Sequence, residues 1–286
     1  MFLPETQMTE QSILGTSFNL VDYDFVMQML NRCRHAGKKI YITITNPHSV
    51  LLCHRDSQMN KATSGAYMTL PDGIGIILAA NLLGYKNYGR VTGPTLMLRL
   101  CDWGRKYGYR HFFYGGGNGV ADRLKDNLSR MFPGLQTVGT YCPPFRPLSK
   151  QENDAITEQI NRTKPDILWV GLGAPKQEKW MASHFGKINA TTMIGVGAAF
   201  DFHSGNIKWA PSWIRRLGSE WAYRLIKEPK RMWRRNLDSF IFLAKVVWQC
   251  MKMSQGHEQN LGASSEHPDV KNLLSNPVSK AFKADY

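Results

Sequence analysis

Ile167-Leu168-Trp169-Val170-Gly171-Leu172-Gly173-Ala174-Pro175 is the stretch on which the architecture turns. It is a short, apolar, β-rich run that breaks at once into glycine and proline, as a strand does where it meets a turn. Three other runs have the same form: 40–45, 112–114 and 192–196. Between them lie segments of helical periodicity such as 119–131 and 150–161. Strand and helix alternating in this way predict an α/β fold around a mainly parallel sheet, occupying residues 1–204. No internal repeat interrupts the pattern.

The whole chain has 286 residues, 43% hydrophobic and 20% charged, enough for one large domain or a domain with an appendage. That composition excludes a wholly disordered or collagen-like protein. A formal charge of +14 predicts anionic partners: nucleic acid, phosphorylated metabolites or an acidic membrane face. No run reaches the roughly 18 to 20 apolar residues that span a bilayer, and the N-terminus, with Glu5 and Glu10, lacks the pattern of a signal peptide. The expected location is therefore cytoplasmic. Cys33, Cys53, Cys101, Cys142 and Cys250 form no C-x-x-C pair and read as buried or incidental thiols.

The charge is unevenly placed. Within residues 205–256, eleven Lys and Arg face only Glu220, Glu228 and Asp238, and five of the eight tryptophans fall in the same segment. It reads as a basic, Trp-rich functional appendage. Beyond it, residues 257–286 are polar and rich in Gly, Ser and Pro, the composition of a disordered tail.

Three glycine-rich turns follow the strand-like runs: Gly115-Gly116-Gly117-Asn118-Gly119, Gly171-Leu172-Gly173-Ala174-Pro175 and Gly195-Val196-Gly197. Each is either a tight strand-to-helix turn or a place where backbone approaches a diphosphate at the carboxyl end of a strand. Three together favour a nucleotide or sugar nucleotide. None is the G-x-G-x-x-G fingerprint, since Val120 and Lys176 stand where it needs small residues. Asp72, between Pro71 and Gly73, is open to two readings: N-cap of the apolar run 74–83, or general base at the mouth of a cleft. Asp22-Tyr23-Asp24 has D-x-D metal spacing, but it precedes the helical segment 25–33 and reads as a cap. With no metal, a departing diphosphate needs other cations, and the arginines of 205–256 are the supply. His48, His54, His184 and His203 share no metal-ligand spacing, and neither a G-x-S-x-G elbow nor a Walker lysine motif is present.

Asn46, Leu70-Pro71-Asp72-Gly73, Arg90 with Thr92-Gly93, Gly171-Leu172-Gly173-Ala174-Pro175-Lys176-Gln177-Glu178-Lys179-Trp180, and Gly218-Ser219-Glu220-Trp221-Ala222-Tyr223-Arg224-Leu225-Ile226-Lys227-Glu228-Pro229 together resemble the WecG/TagA/CpsF glycosyltransferases, over about residues 12–250. The resemblance implies a Rossmann-like core with a basic helical C-terminal appendage closing over the site. It implies a bacterial enzyme moving a sugar from a UDP-sugar to a polyprenyl-diphosphate-linked sugar, with inversion and with no metal or other cofactor. By similarity, Asp72 is the general base, Gln177 helps hold the donor sugar, and Arg224, Arg231 and Arg234 clamp the UDP diphosphate. Gly73, Arg90, Gly115, Gly116, Gly173 and Lys176 complete the expected substrate contacts. The family's first strand-end motif is Thr-x-Asn, whereas Ile44 holds the threonine position here; Asn46 is kept, and either Thr43 or Thr45 supplies the hydroxyl or the role is absent. Thr140-Tyr141-Cys142-Pro143-Pro144-Phe145-Arg146 is similar to members acting in exopolysaccharide assembly, where glucose is one known donor sugar.

A lipid-linked acceptor requires work at a membrane surface. Trp209, Trp213, Trp233 and the run 240–248, interrupted by Lys245, either anchor the chain peripherally to the anionic inner face of the cytoplasmic membrane or simply pack the appendage on the core. A nucleic-acid binding module is the non-enzymatic alternative, ranked below because it leaves Asp72 and the glycine turns without a role. A nicotinamide-dependent oxidoreductase ranks low for want of the dinucleotide fingerprint. An oligomer is compatible with the sequence.

Overall fold

The computed structural model describes residues 10–85 and 89–260, with side chains through Met253. Six strands, β3 (Ile40–Thr45), β4 (Met68–Pro71), β5 (Arg110–Gly115), β6 (Gln136–Tyr141), β7 (Ile167–Gly171) and β8 (Thr192–Gly195), form one sheet in the order β4-β3-β8-β7-β5-β6. Every neighbouring pair is parallel. A short antiparallel hairpin of β1 (Glu10–Ile13) and β2 (Thr16–Asn19) lies against β4. This is the α/β, Rossmann-like core expected.

The four runs read from the sequence are the four central strands. Their residues are covered on both faces, so they are mostly apolar, and that continuity is what made them legible. The two edges were not anticipated. Strand β6 is half-exposed and mostly polar, and β4 has only four residues and ends on Pro71, whose missing N–H is tolerated at an edge.

Alternation along each strand sorts the core into two layers. Phe113, Trp169 and Ile194 face helices α1 (Tyr23–His35), α5 (Gly93–Trp103), α6 (Val120–Met131) and α9 (Ala199–His203). Phe112, Tyr114, Leu168 and Val170 face α7 (Lys150–Thr163) and α8 (Lys176–His184). The buried Trp169 indole donates to His111 Nδ1 at 3.0 Å, and burial drives the His111 pKa down to about 4, so this imidazole is neutral.

A third apolar cluster joins the hairpin to α2 (Pro47–Arg55), which α3 (Ser57–Ser64) follows, to α4 (Ile74–Leu82) and to the C-terminal helix α12 (Pro229–Asn260) through Ile13, Phe18, Val50, Ile76, Phe242 and Val246. Two short helices, α10 (Ser212–Arg216) and α11 (Glu220–Lys227), lead into α12. The basic segment thus shares buried surface with the core: α12 packs on α2 and α4, and Gly218 sits against Ile74 at the start of α4. Helix α12 continues to Asn260, four residues into the segment read as a tail; the rest of that segment, 261–286, lies outside the described residues.

Candidate active site

A cleft of about 1530 Å³ opens at the carboxyl edge of the sheet. Strand ends are in register there, with Thr45 opposite Pro71, Gly115 opposite Gly171, and Val170 opposite Gly195. All three glycine turns therefore arrive at one place. Two of the glycines are required by close approach. Gly115 has φ +138° and a Cβ there would lie 2.6 Å from the Gly171 backbone, while a Cβ on Gly171 would run into the Phe200 ring. Gly115 thus serves the strand junction and does not line the cleft, whereas Gly116 and Gly173 do.

Asp72 follows β4, and its backbone N–H donates to the Thr45 carbonyl at 3.0 Å. Its carboxylate does not cap α4: the N-cap is Gly73, at φ +85°, and no side chain caps this helix. Of the two readings of Asp72, capping is therefore removed, and the carboxylate lines the cleft. Burial pushes its pKa up, against the opposing charges of Arg90, Arg235 and Arg224. A carboxylate held this way has a stronger pull on a proton than a solvated one and still has cations to keep it ionised.

Glu220, the first residue of α11, is a second carboxylate here, which sequence reasoning left without a role. Its pKa is raised by burial and then by the charge of Asp72, with Arg224, Arg90 and Arg215 pulling the other way. Arg90 Nη2 donates to the Arg215 carbonyl at 3.2 Å, which ties the loop after β4 to the C-terminal segment.

The arginines divide. Arg224 is 13% exposed, its Nε 3.7 Å from Glu228 Oε1, its guanidinium 5.2 Å from the Phe202 ring centroid. Its Nε and Nη2 are buried and make no hydrogen bond. Arg231 lines the cleft and pairs with Glu228 Oε2 at 3.1 Å. Arg234 does not join them: it is exposed and lies 5.2 Å from the Trp233 ring centroid, outside the cleft. Arg235 takes its place, with burial and the charges of Arg224 and Arg231 lowering its pKa. Arg231, Arg235 and Ser239 lie four residues apart, on the stripe of α12 that faces the cleft. That spacing is a signal by which Arg235 could have been found.

Asn46 lines the cleft while its Oδ1 caps α2, accepting the Ser49 N–H at 3.0 Å. Neither threonine reaches the cleft. Thr43 donates to Thr69 Oγ1 at 3.1 Å, and Thr45 is buried with Oγ1 unbonded. Side chains alternate along a strand, so position 44 is the one turned to the cleft, and there the chain has Ile44. The hydroxyl expected from Thr43 or Thr45 is supplied by neither.

Lys176 and Gln177 open α8 beside Gly173, and both line the cleft. Gln177 is buried, its Oε1 accepting the Gly197 N–H at 3.0 Å and its Nε2 donating to Glu178 at 2.8 Å, so it braces one glycine turn against another. Asp22 caps α1, accepting the Phe25 N–H at 2.8 Å, which bears out the capping reading of this residue. Among the described residues, no three His, Cys, Asp or Glu side chains come together as a metal site.

The family model described as glycosyl transferase WecG/TagA/CpsF matches residues 11–256. Three similar proteins carry the name N-acetylglucosaminyldiphosphoundecaprenol N-acetyl-beta-D-mannosaminyltransferase. One from Bacillus subtilis (strain 168) is 33% identical over 196 residues, 68% of this chain and 74% of the relative. One from Bacillus spizizenii is 30% identical over 213 residues, 74% of this chain and 80% of the relative. One from Staphylococcus aureus (strain MW2) is 27% identical over 241 residues, 82% of this chain and 91% of the relative.

Proposed function

The chain belongs to the WecG/TagA/CpsF family of glycosyl transferases, and we propose that it moves a sugar from a UDP-sugar to a polyprenyl-diphosphate-linked sugar, with inversion and without a metal, in assembly of a bacterial surface polysaccharide or exopolysaccharide. The observation that carries this reading is a single cleft in which Asp72 stands within the fields of Arg90, Arg224 and Arg235. The acceptor hydroxyl gives its proton to Asp72, and its oxygen attacks the anomeric carbon. The bond to the diphosphate breaks with its electron pair, and the charge on the leaving UDP meets the arginines of α11 and α12. Glycine turns at the strand ends suit a diphosphate and ribose, as at other parallel-sheet sites. The relatives' names specify a diphosphoundecaprenol-linked acceptor, which supports the lipid half of the reading.

Helix α12 supports work at an anionic membrane surface. Trp233, Leu237, Phe240, Trp248 and Met251 are exposed at three- to eight-residue intervals along one side, interspersed with Arg234, Lys245 and Lys252. Phe240 also lines the cleft, beside Leu78 and Leu243, so apolar surface runs from outside into the site. No described helix is long and apolar enough to cross a membrane.

A panel of UDP-sugars tested against prenyl-diphosphate-linked acceptors in anionic vesicles, with products read by mass, is expected to give one acceptor lengthened by a single sugar. A folded protein that transfers nothing in any pairing sinks the proposal. With the active pair in hand, Glu220→Gln is expected to leave the acid limb of the kcat/KM profile in place. The charge of Asp72 raises the pKa of Glu220, so Asp72 gives up its proton beside a neutral Glu220, which a glutamine replaces without change of charge. A limb that moves to lower pH shows that Glu220 is already ionised when Asp72 titrates.

A further inference from the structure

His48 is the second residue of α2, the helix that Asn46 caps directly after β3. Pro47, just before it, abuts the first turn of α4: a Cβ on Gly75 would lie 2.7 Å from Pro47 Cγ. That places His48 at the Asp72 side of the cleft, which it lines. Its Nδ1 is 2.6 Å from Oδ2 of Asp238, a buried carboxylate on α12, 190 residues away in sequence. Arg55, two turns further along the same face of α2, donates Nη2 to Asp238 Oδ1 at 2.8 Å and Nη1 to Oδ2 at 3.3 Å.

The protonation states follow from these contacts. Burial works to raise the pKa of Asp238, but the hydrogen bonds from Arg55 and His48 outweigh it and hold the carboxylate below its ordinary value. An ionised carboxylate only accepts, so His48 Nδ1 carries the hydrogen. Burial, with the charges of Arg235 and Arg55, holds the His48 pKa below its usual value against the pull of Asp238, so the ring is neutral near pH 7. Nε2 is left as a bare lone pair, and among the described residues it has no hydrogen-bond partner. A lone pair repels a diphosphate and matches a donor, a sugar hydroxyl or an amide N–H. His48, Asp72 and Arg235 line the same cleft, and the charge of Arg235 acts on both of the others.

We infer that His48 binds a hydroxyl or amide N–H of the acceptor sugar through Nε2, and that Asp238 is the positioning residue that fixes the required tautomer from α12. The inference rests on the transferase reading above. It makes acceptor binding depend on a docked C-terminal helix, because the carboxylate that orients the ring belongs to α12 and the ring itself to the core. UDP does not use this contact.

The test compares His48→Phe, Asp238→Asn and Arg55→Ala with the wild type for melting temperature, UDP affinity by calorimetry, and KM for each substrate. Loss of one uncharged hydrogen bond predicts a rise in acceptor KM of roughly tenfold in His48→Phe, with UDP affinity unchanged. Asp238→Asn, which can present a donor and reverse the tautomer, raises acceptor KM in the same direction. Arg55→Ala lowers the melting temperature and raises acceptor KM by less than His48→Phe does, because the ring still donates to Asp238 without it. An unchanged acceptor KM in His48→Phe overturns the inference, as does an equal rise in Arg55→Ala, which reduces the triad to a helix latch. A wild type that transfers nothing overturns the functional reading and the inference together, whereas an active wild type with an indifferent His48→Phe overturns the role of His48 alone.

Discussion

Asp72→Asn is expected to cut transfer by roughly 10²- to 10⁴-fold, the range that a positioned base supplies, while the protein stays folded and binds UDP. Asparagine keeps the shape, and the bond from residue 72 to Thr45 is made by the backbone N–H, which the substitution leaves in place. Stability should not fall. The folded pKa of Asp72 lies above its unfolded value because of burial, so its ionisation disfavours the fold as pH rises through that window. Removing the charge removes the penalty at neutral pH. UDP affinity is expected to hold or improve, since Arg90, Arg224 and Arg235 lose a competing anion. The wild-type kcat/KM should climb with pH through an apparent pKa above that of an ordinary aspartate, and the residual activity of the variant should be flat over the same range. Single-turnover rates, calorimetric UDP titration and melting curves measure the three parts. A variant with near wild-type turnover would falsify the assignment of Asp72 as base.

The second large effect is that of Arg224→Ala, with Arg234→Ala as its partner experiment. Arg224 is 13% exposed and keeps Nε and Nη2 unbonded at the cleft, with Glu228 at 3.7 Å holding the guanidinium near its working place. Donors fixed in advance where charge develops contribute most, because they need no reorganisation during the reaction. Removal of one such group is expected to lower kcat on the order of 10²- to 10³-fold. Arg231 is expected to fall below it, being half-exposed and already paired with Glu228. Arg234 lies over Trp233 outside the cleft, and its replacement should shift stability by no more than about 0.5 kcal/mol and leave kcat unaltered. Measured kcat and UDP affinity for the two variants decide the matter. Equal losses at 224 and 234 would mean that α12 presents a different face to the donor in the working enzyme.

The contrast between Arg234 and Arg235 also shows where sequence reading stops. Arginines one residue apart differ by about 100° around a helix, and chain chemistry does not say which of them faces inward. That phase is set by Phe242 and Val246, which bury themselves against α2 and α4 and so rotate Arg231 and Arg235 to the cleft. The threonine question has the same form in a strand. Positions 43 and 45 share one face and 44 the other, and only the position of the cleft shows that neither Thr43 nor Thr45 reaches it. For Asp72 the sequence left cap and base in balance, and the start of α4 at Ile74, with Gly73 as N-cap and no side chain bonded there, removed the first.

The sequence by itself determined the α/β class, the four central strands, the capping role of Asp22 and the family. These rest on local properties: unbroken apolar runs where both faces of a strand are covered, side-chain oxygens at helix starts, and long motifs in fixed order. Tertiary structure alone decided which cations meet Asp72, which threonines are turned away, and that His48 and Asp238 are hydrogen-bonded across 190 residues. The physical reason is that a side chain's pKa and reach depend on what is packed around it, and those neighbours come from elements distant in sequence whose relative rotation is fixed by the burial of other residues.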